Sequence, residues 1–115
     1  MAIVKEKVAE VPSGFTLMGA LPDAVVGFDR DFEVYFSNDA AQNFFCRSEK
    51  QLLAENMSAL LGEQQAVFEA VETAVRKNNQ TVTLYDTAIG DKVIASAVIV
   101  TVEPDAWYMM VIRRF

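Results

Sequence analysis

Leu21-Pro22-Asp23-Ala24-Val25-Val26-Gly27-Phe28-Asp29-Arg30-Asp31-Phe32-Glu33-Val34-Tyr35-Phe36-Ser37-Asn38-Asp39-Ala40-Ala41-Gln42 contains the change of pattern on which the fold turns. Residues 24–28 and 33–37 are β-branched and aromatic, which suits a half-buried pleated surface, and Asp29-Arg30-Asp31 lies between them as a polar turn. The two runs read as a hairpin. At Asn38 the character switches. Asn38 or Asp39 is placed to accept from the first free amides of a helix, and Gln42 follows Asp39 at capping-box spacing. A helix through Phe44 and Phe45 is expected there.

Downstream, Ser48 with Gln51 repeats the capping-box spacing ahead of Leu52-Leu53, and Met57 to Leu61 forms one more turn that Gly62 stops. Gln64 to Asn78 is the most regular helix: Val67, Val71 and Val75 recur every four residues with Phe68 beside them, while Glu69, Glu72, Arg76 and Lys77 point elsewhere. Asn78-Asn79 ends it. Residues 81–85 alternate with period two as a half-buried strand, Gly90-Asp91 turns the chain into Lys92 to Val102, and Pro104-Asp105 leads to a last strand from Trp107 to Ile112. The order is two strands, helices, three strands. Short turns join only antiparallel neighbours, so this is an α+β domain with its helices segregated on one face of the sheet.

Upstream, Pro12-Ser13-Gly14 separates an extension, residues 1–13, from the domain, residues 14–115. Val4, Val8 and Val11 make a short helical stripe that needs a surface to pack on, and a second short helix from Phe15 to Leu21 ends at Pro22. One domain's worth of chain is present: 115 residues, 52% hydrophobic and 23% charged. Without histidine and with only Cys46 there is no His-centred triad, no Cys/His zinc cage and no internal disulfide. A net charge of −6 repels a phosphate backbone, so nucleic acid is not expected as a partner. The longest apolar run, Val93 to Val102, is far short of the roughly 20 residues of a bilayer span, and residues 1–12 lack a signal-peptide core. The cytosol is the expected compartment.

The stretch from Leu21 to Asp29 followed by Val34-Tyr35-Phe36-Ser37-Asn38-Asp39-Ala40-Ala41 resembles the PAS family, with the Asn-x-Ala-Ala step as the most telling piece, and the resemblance covers residues 14 to 115. Ala40 to Ser48 with Leu52-Leu53 is most similar to the N-terminal sensor domains of nitrogen-regulation (NtrB-like) histidine kinases. What this implies is a five-stranded antiparallel sheet in order 2-1-5-4-3 and a sensor or protein-interaction role in two-component signalling. Two departures stand out: Phe32 occupies a turn position where the family usually has glycine, and the family's acidic and threonine signature after the last strand is absent. A stop directly after the final strand suggests an excised sensor domain or a stand-alone module.

A curved sheet under one long and several short helices encloses a small interior where an apolar ligand could sit. Phe36, Phe44, Phe68, Leu84 and Met109 are the expected lining residues, being bulky and on elements that face inward; the alternative is that they simply fill the core, since no polar residues visibly converge among them. No cofactor is expected. Light-sensing relatives form a flavin adduct at cysteine, but Cys46 lacks their flanking sequence, and haem-binding relatives use a histidine on the long helix that has no counterpart here. Asp29 and Asp31 read as turn residues, Asn38 and Asp39 as caps, and no nucleophile has a base beside it, so this segment is not expected to be an enzyme.

On the last strand either Tyr108, Met110 and Ile112 or Trp107, Met109 and Val111 face away from the helices. That apolar face suggests a homodimer through the sheet, with the N-terminal segment packed against it. The expectation is therefore the regulatory input module of a cytosolic two-component sensor histidine kinase, answering to a small apolar ligand or a regulatory protein. The alternatives are a ligand-free dimerisation or docking module, or the sensor domain of a transcriptional regulator.

Overall fold

The computed structural model describes residues 21–62 and 65–115; the expected helices at 1–13 and from Phe15 lie outside the described residues. In chain order the elements are β1 (Ala24–Asp29), β2 (Val34–Ser37), α1 (Asp39–Phe45), α2 (Glu49–Leu53), α3 (Met57–Leu61), α4 (Gln65–Lys77), β3 (Val82–Ile89), β4 (Lys92–Glu103) and β5 (Trp107–Arg114). The strands form one antiparallel sheet in order β2-β1-β5-β4-β3, so β2 and β3 lie at opposite edges and the helices span between them. This is the expected α+β architecture.

The β1–β2 turn holds Phe32 at φ 67, the left-handed region that favours glycine. Local bonds compensate. The Asp29 Oδ1 accepts from the Asp31 and Glu33 amides at 2.9 and 3.0 Å, and the Phe32 amide donates to the Asp29 carbonyl at 3.0 Å. The Phe32 ring then lies 5.4 Å from that of Phe68 on α4, so the strained residue also joins turn to helix.

Asn38, not Asp39, caps α1: its Oδ1 accepts from the Ala41 amide at 2.9 Å, and Asp39 contributes a first-turn negative charge. Ser48 and Gln51 form the expected reciprocal box at the start of α2, and Gly62 at φ 59 ends α3. In α4 the buried face is Val67, Ala70, Val71 and Ala74, with Phe68 and Val75 partly buried, so it centres on the alanines that let the helix approach β3 and β4.

One face of the sheet carries the core. Ala24, Val26 and Phe28 of β1, Tyr108, Met110 and Ile112 of β5, and Ala97 and Ile99 of β4 pack with the buried residues of all four described helices. Phe28 and Tyr108 are stacked, 5.8 Å between centroids. Alternation therefore puts Trp107, Met109 and Val111 on the opposite face. β3 runs four residues beyond the expected Tyr85, because Asp86 at φ 48 interrupts the period-two pattern without ending the strand. Its partner β4 shifts register between Ile94 and Ser96, so both strands change parity together: Leu84 and Ala97 face the core before the break, Ile89 and Ile94 after it. Lys92, paired with Ile89, is thereby turned to the helical side.

Candidate functional site

The interior beneath the helices is filled. Val26, Phe28, Leu52, Met57, Val67, Ile94, Ile99, Tyr108, Met110 and Ile112 have no accessible surface, and Phe44 has 1%. A side chain with no surface open to water touches no void wide enough to hold one, so these side chains border no water-sized cavity. Of the residues expected to line a cavity, Phe44 belongs to this core, and Phe68 and Leu84 pack against it half-buried. Phe36 and Met109 do not join them. Both stand opposite Gly27 on the outer face of the sheet, since the register shift between Gly27 and Phe28 leaves Val34 facing inward and Phe36 outward.

Where the helices meet the rim of the sheet, a cleft of about 450 Å³ opens between the end of α1, the end of α3 and the β3–β4 turn. Phe44, Phe45, Leu60, Leu61 and Ile89 make its apolar wall, and Arg47, Asp91 and Lys92 its polar margin. Lys92 reaches across from β4 to donate to the Phe44 carbonyl, and its Nζ is 3.5 Å from the Cys46 Sγ and 5.1 Å from the centre of the Phe44 ring. The last turn of α1 has no basic residue of its own, so this ammonium supplies the positive charge that a helix C-terminus favours. The Arg114 guanidinium lies over the same ring at 5.7 Å, and Arg47 pairs with Glu55 at 3.1 Å. Cys46, exposed and at φ 55, is the left-handed cap of α1.

Sequence reasoning reached Phe44 but missed Lys92, Arg114 and Ile89. Their convergence depends on the parity change at Asp86, which no residue pattern announces.

The acidic residues are dispersed. Asp23 meets Arg113 at 3.4 Å, Asp29 serves the hairpin turn, Asp39 begins α1, and Asp86 is exposed on β3. Among the described residues no group of three or more His, Cys, Asp or Glu is arranged to hold a metal ion. At the other end of the molecule Asn78, left-handed at the close of α4, exchanges bonds with the β4–β5 turn. Its Nδ2 donates to the Asp105 Oδ1 at 2.7 Å, and its Oδ1 accepts from the Asp105 amide at 3.1 Å and the Tyr108 hydroxyl at 2.5 Å. Burial raises the pKa of that phenol, with the Asp105 charge adding to the rise and the Asp105 backbone and Arg30 opposing it.

An antiparallel sheet in order 2-1-5-4-3, with every described helix inserted between the second and third strands and packed on one face, is the PAS fold. The sequence matches no protein-family model and no curated protein. Solved structures carry the comparison. The PAS domain of nitrogen regulation protein NR(II) from Vibrio parahaemolyticus superposes with a TM-score of 0.62 at 13% identity, covering 91% of this chain and 100% of that one. The PAS domain of BvgS from Bordetella pertussis gives 0.70 at 12% identity over 89% of this chain and 83% of that one. The photoactive yellow protein domain of the sensor histidine kinase Ppr from Rhodospirillum centenum gives 0.67 at 15% identity, covering 88% and 93%. Among the described residues no helix is long and apolar enough to cross a membrane.

Proposed function

We propose that this chain is the regulatory input module of a cytosolic two-component sensor histidine kinase and that it works as a homodimer joined through the outer face of its sheet. The observation that carries this reading is the apolar character of that face. Val98, Val100, Met109 and Val111, each half-buried, form adjoining rows on the central strand β5 and its neighbour β4, flanked by Val102 and Tyr85, which are 39% and 71% exposed. Surface of this kind seeks a partner, and a second copy of the same face is self-complementary under two-fold symmetry. The kinase class is supported by the fold and by the names of similar structures, which include sensor histidine kinases; the nitrogen-regulation class is supported by the NR(II) domain and by the resemblance of Ala40 to Ser48.

An apolar ligand held by Phe44, Phe68 and Leu84 would require the core around Phe44 to open, whereas association through the sheet face requires no rearrangement of that core. Association is therefore favoured as the route of the signal. Sedimentation equilibrium tests it: a dimer is expected, and Met109→Glu, which puts a charge into the middle of the interface, is expected to weaken it by at least about thirtyfold. A monomer at high concentration, or a dimer indifferent to the charge, refutes the interface. The gene tests the kinase class, with a histidine-bearing helical hairpin and an ATP-binding domain expected in the same reading frame. A DNA-binding domain there would assign the module to a transcriptional regulator.

A further inference from the structure

The rim cleft joins an apolar wall to a cation that meets no carboxylate among the described residues. Lys92 is half-buried, and its Nζ contacts are the Phe44 carbonyl, the Cys46 thiol and the Phe44 ring, all neutral. Arg114 shares that ring and likewise meets no carboxylate among the described residues. The chain has sixteen acidic and ten basic residues, so a shortage of carboxylates does not explain this. Asp91 at the cleft margin is an exposed turn residue, and the Arg47 charge is taken up by Glu55.

We propose that the cleft binds a small organic acid with an apolar body, its carboxylate on the Lys92 ammonium and its body against Phe45, Leu60, Leu61 and Ile89. An ammonium has three N–H groups, and the Phe44 carbonyl and Cys46 thiol use two. No described residue takes the third, which leaves it for a charge-assisted bond in a partly desolvated place, where such bonds are stronger than in open water. The complementary chemistry follows by elimination. A neutral apolar molecule would cover the wall and leave the cation unmatched, while a bare inorganic anion would satisfy the cation and leave the half-buried Phe45 uncovered. A volume of about 450 Å³ accommodates a molecule that does both. Because Lys92 also holds the C-terminal carbonyl of α1, a carboxylate that draws on the same ammonium acts on the position of that helix.

This site rests on the sensory reading for its purpose, not for its chemistry. The test is an amide NMR titration of the whole chain with phenylacetate and, separately, with its uncharged isostere phenylacetamide, at fixed pH and ionic strength. Phenylacetate is expected to shift the amides of residues 44–47, 60–62 and 89–92, with phenylacetamide binding at least about fivefold more weakly. Lys92→Arg is expected to retain binding and Lys92→Gln to lose about tenfold. If Lys92→Gln unfolds, the comparison of acid with amide in the unaltered chain decides alone. Equal affinity for the two compounds, shifts confined to other surfaces, or no shifts at about 10 mM acid would overturn the proposal. Sedimentation of the same samples keeps the two readings apart: a dimer that ignores phenylacetate removes the site alone, and a monomer that binds it removes the interface alone.

Discussion

The Asn38 side chain bonds four backbone groups, and replacing it with alanine should cost more than an ordinary helix cap. It is 3% exposed. Its Oδ1 accepts from the Val25 amide of β1 at 3.0 Å and from the Ala41 amide of α1 at 2.9 Å; its Nδ2 donates to the Asp23 carbonyl at 2.8 Å and reaches that of Leu21 at 3.4 Å. Its own amide donates to the Val25 carbonyl at 3.2 Å, so the side chain completes a strand-end pairing that the main chain begins. Loss of the cap costs about 1 kcal/mol. Leaving the buried Val25 amide without an acceptor adds about 1–3 kcal/mol, while the Asp23 and Leu21 carbonyls lie nearer the surface and recover water. Asn38→Ala is therefore expected to destabilise by about 3 kcal/mol, which for a domain of this length lowers Tm by roughly 10–15 °C.

Urea unfolding measures this directly, as a lower midpoint at unchanged slope. Asn38→Asp separates the acceptor role from the donor role, because a carboxylate still caps Ala41 and Val25 but presents an anion to two carbonyl oxygens. The buried acid should be held above its ordinary pKa, so its folded form is stabilised by protonation. The sign follows: the Asn38→Asp variant should be most stable below the ordinary carboxylate pKa of about 4 and lose stability as pH rises through the elevated folded value. A cost below about 1 kcal/mol for Asn38→Ala would mean that water replaces the side chain at both amides, and the argument that it welds β1 to α1 would fail.

Two further perturbations have definite signs. Tyr108 has a phenol raised above 10.0 by burial, so its contribution to stability is complete below that pH and falls as pH rises through the folded value; Tyr108→Phe, which forfeits the Asn78 bond, should cost about 1 kcal/mol at neutral pH, a gap that narrows in alkaline urea melts. A constant gap would show that the phenol titrates alike in the folded and unfolded chains and that burial does not raise its pKa. Cys46→Gly should stabilise by about 0.5–1 kcal/mol, read as a higher urea midpoint, because φ 55 is strained for any side chain and the thiol is exposed, and a loss of stability instead would show that the contact with Lys92 holds the cap.

The fold was legible where local chemistry and period agreed, and obscure where parity depended on a bulge. The hairpin of β1 and β2, the Ser48–Gln51 box, the stop at Gly62 and the turn at Gly90 could each be read from a few adjacent residues, since each expresses a local hydrogen-bonding or φ requirement. Phe36 and Met109 show the opposite case. Bulk suggested that both face the interior, but a strand's inward set reverses with a one-residue slip, and the irregularity between Gly27 and Phe28 is a property of the pairing, not of either strand alone. The same limit hid the rim cleft. Lys92 has an ordinary strand-start sequence, and only the coupled shift at Asp86 and between Ile94 and Ser96 turns it toward Phe44.

That coupled shift also bears on how a signal would travel. β4 pairs with both β3 and β5, so its irregularity links the cleft margin at Lys92 to Arg113 and Arg114 at the end of β5, the strand whose other residues build the outer face. A ligand that repositions Lys92 and α1 acts beside one of the two register shifts in this ladder, where regular pairing is interrupted. The packed centre of the sheet, with Ile99 and Met110 fully buried, is the rigid element against which such a movement would be read.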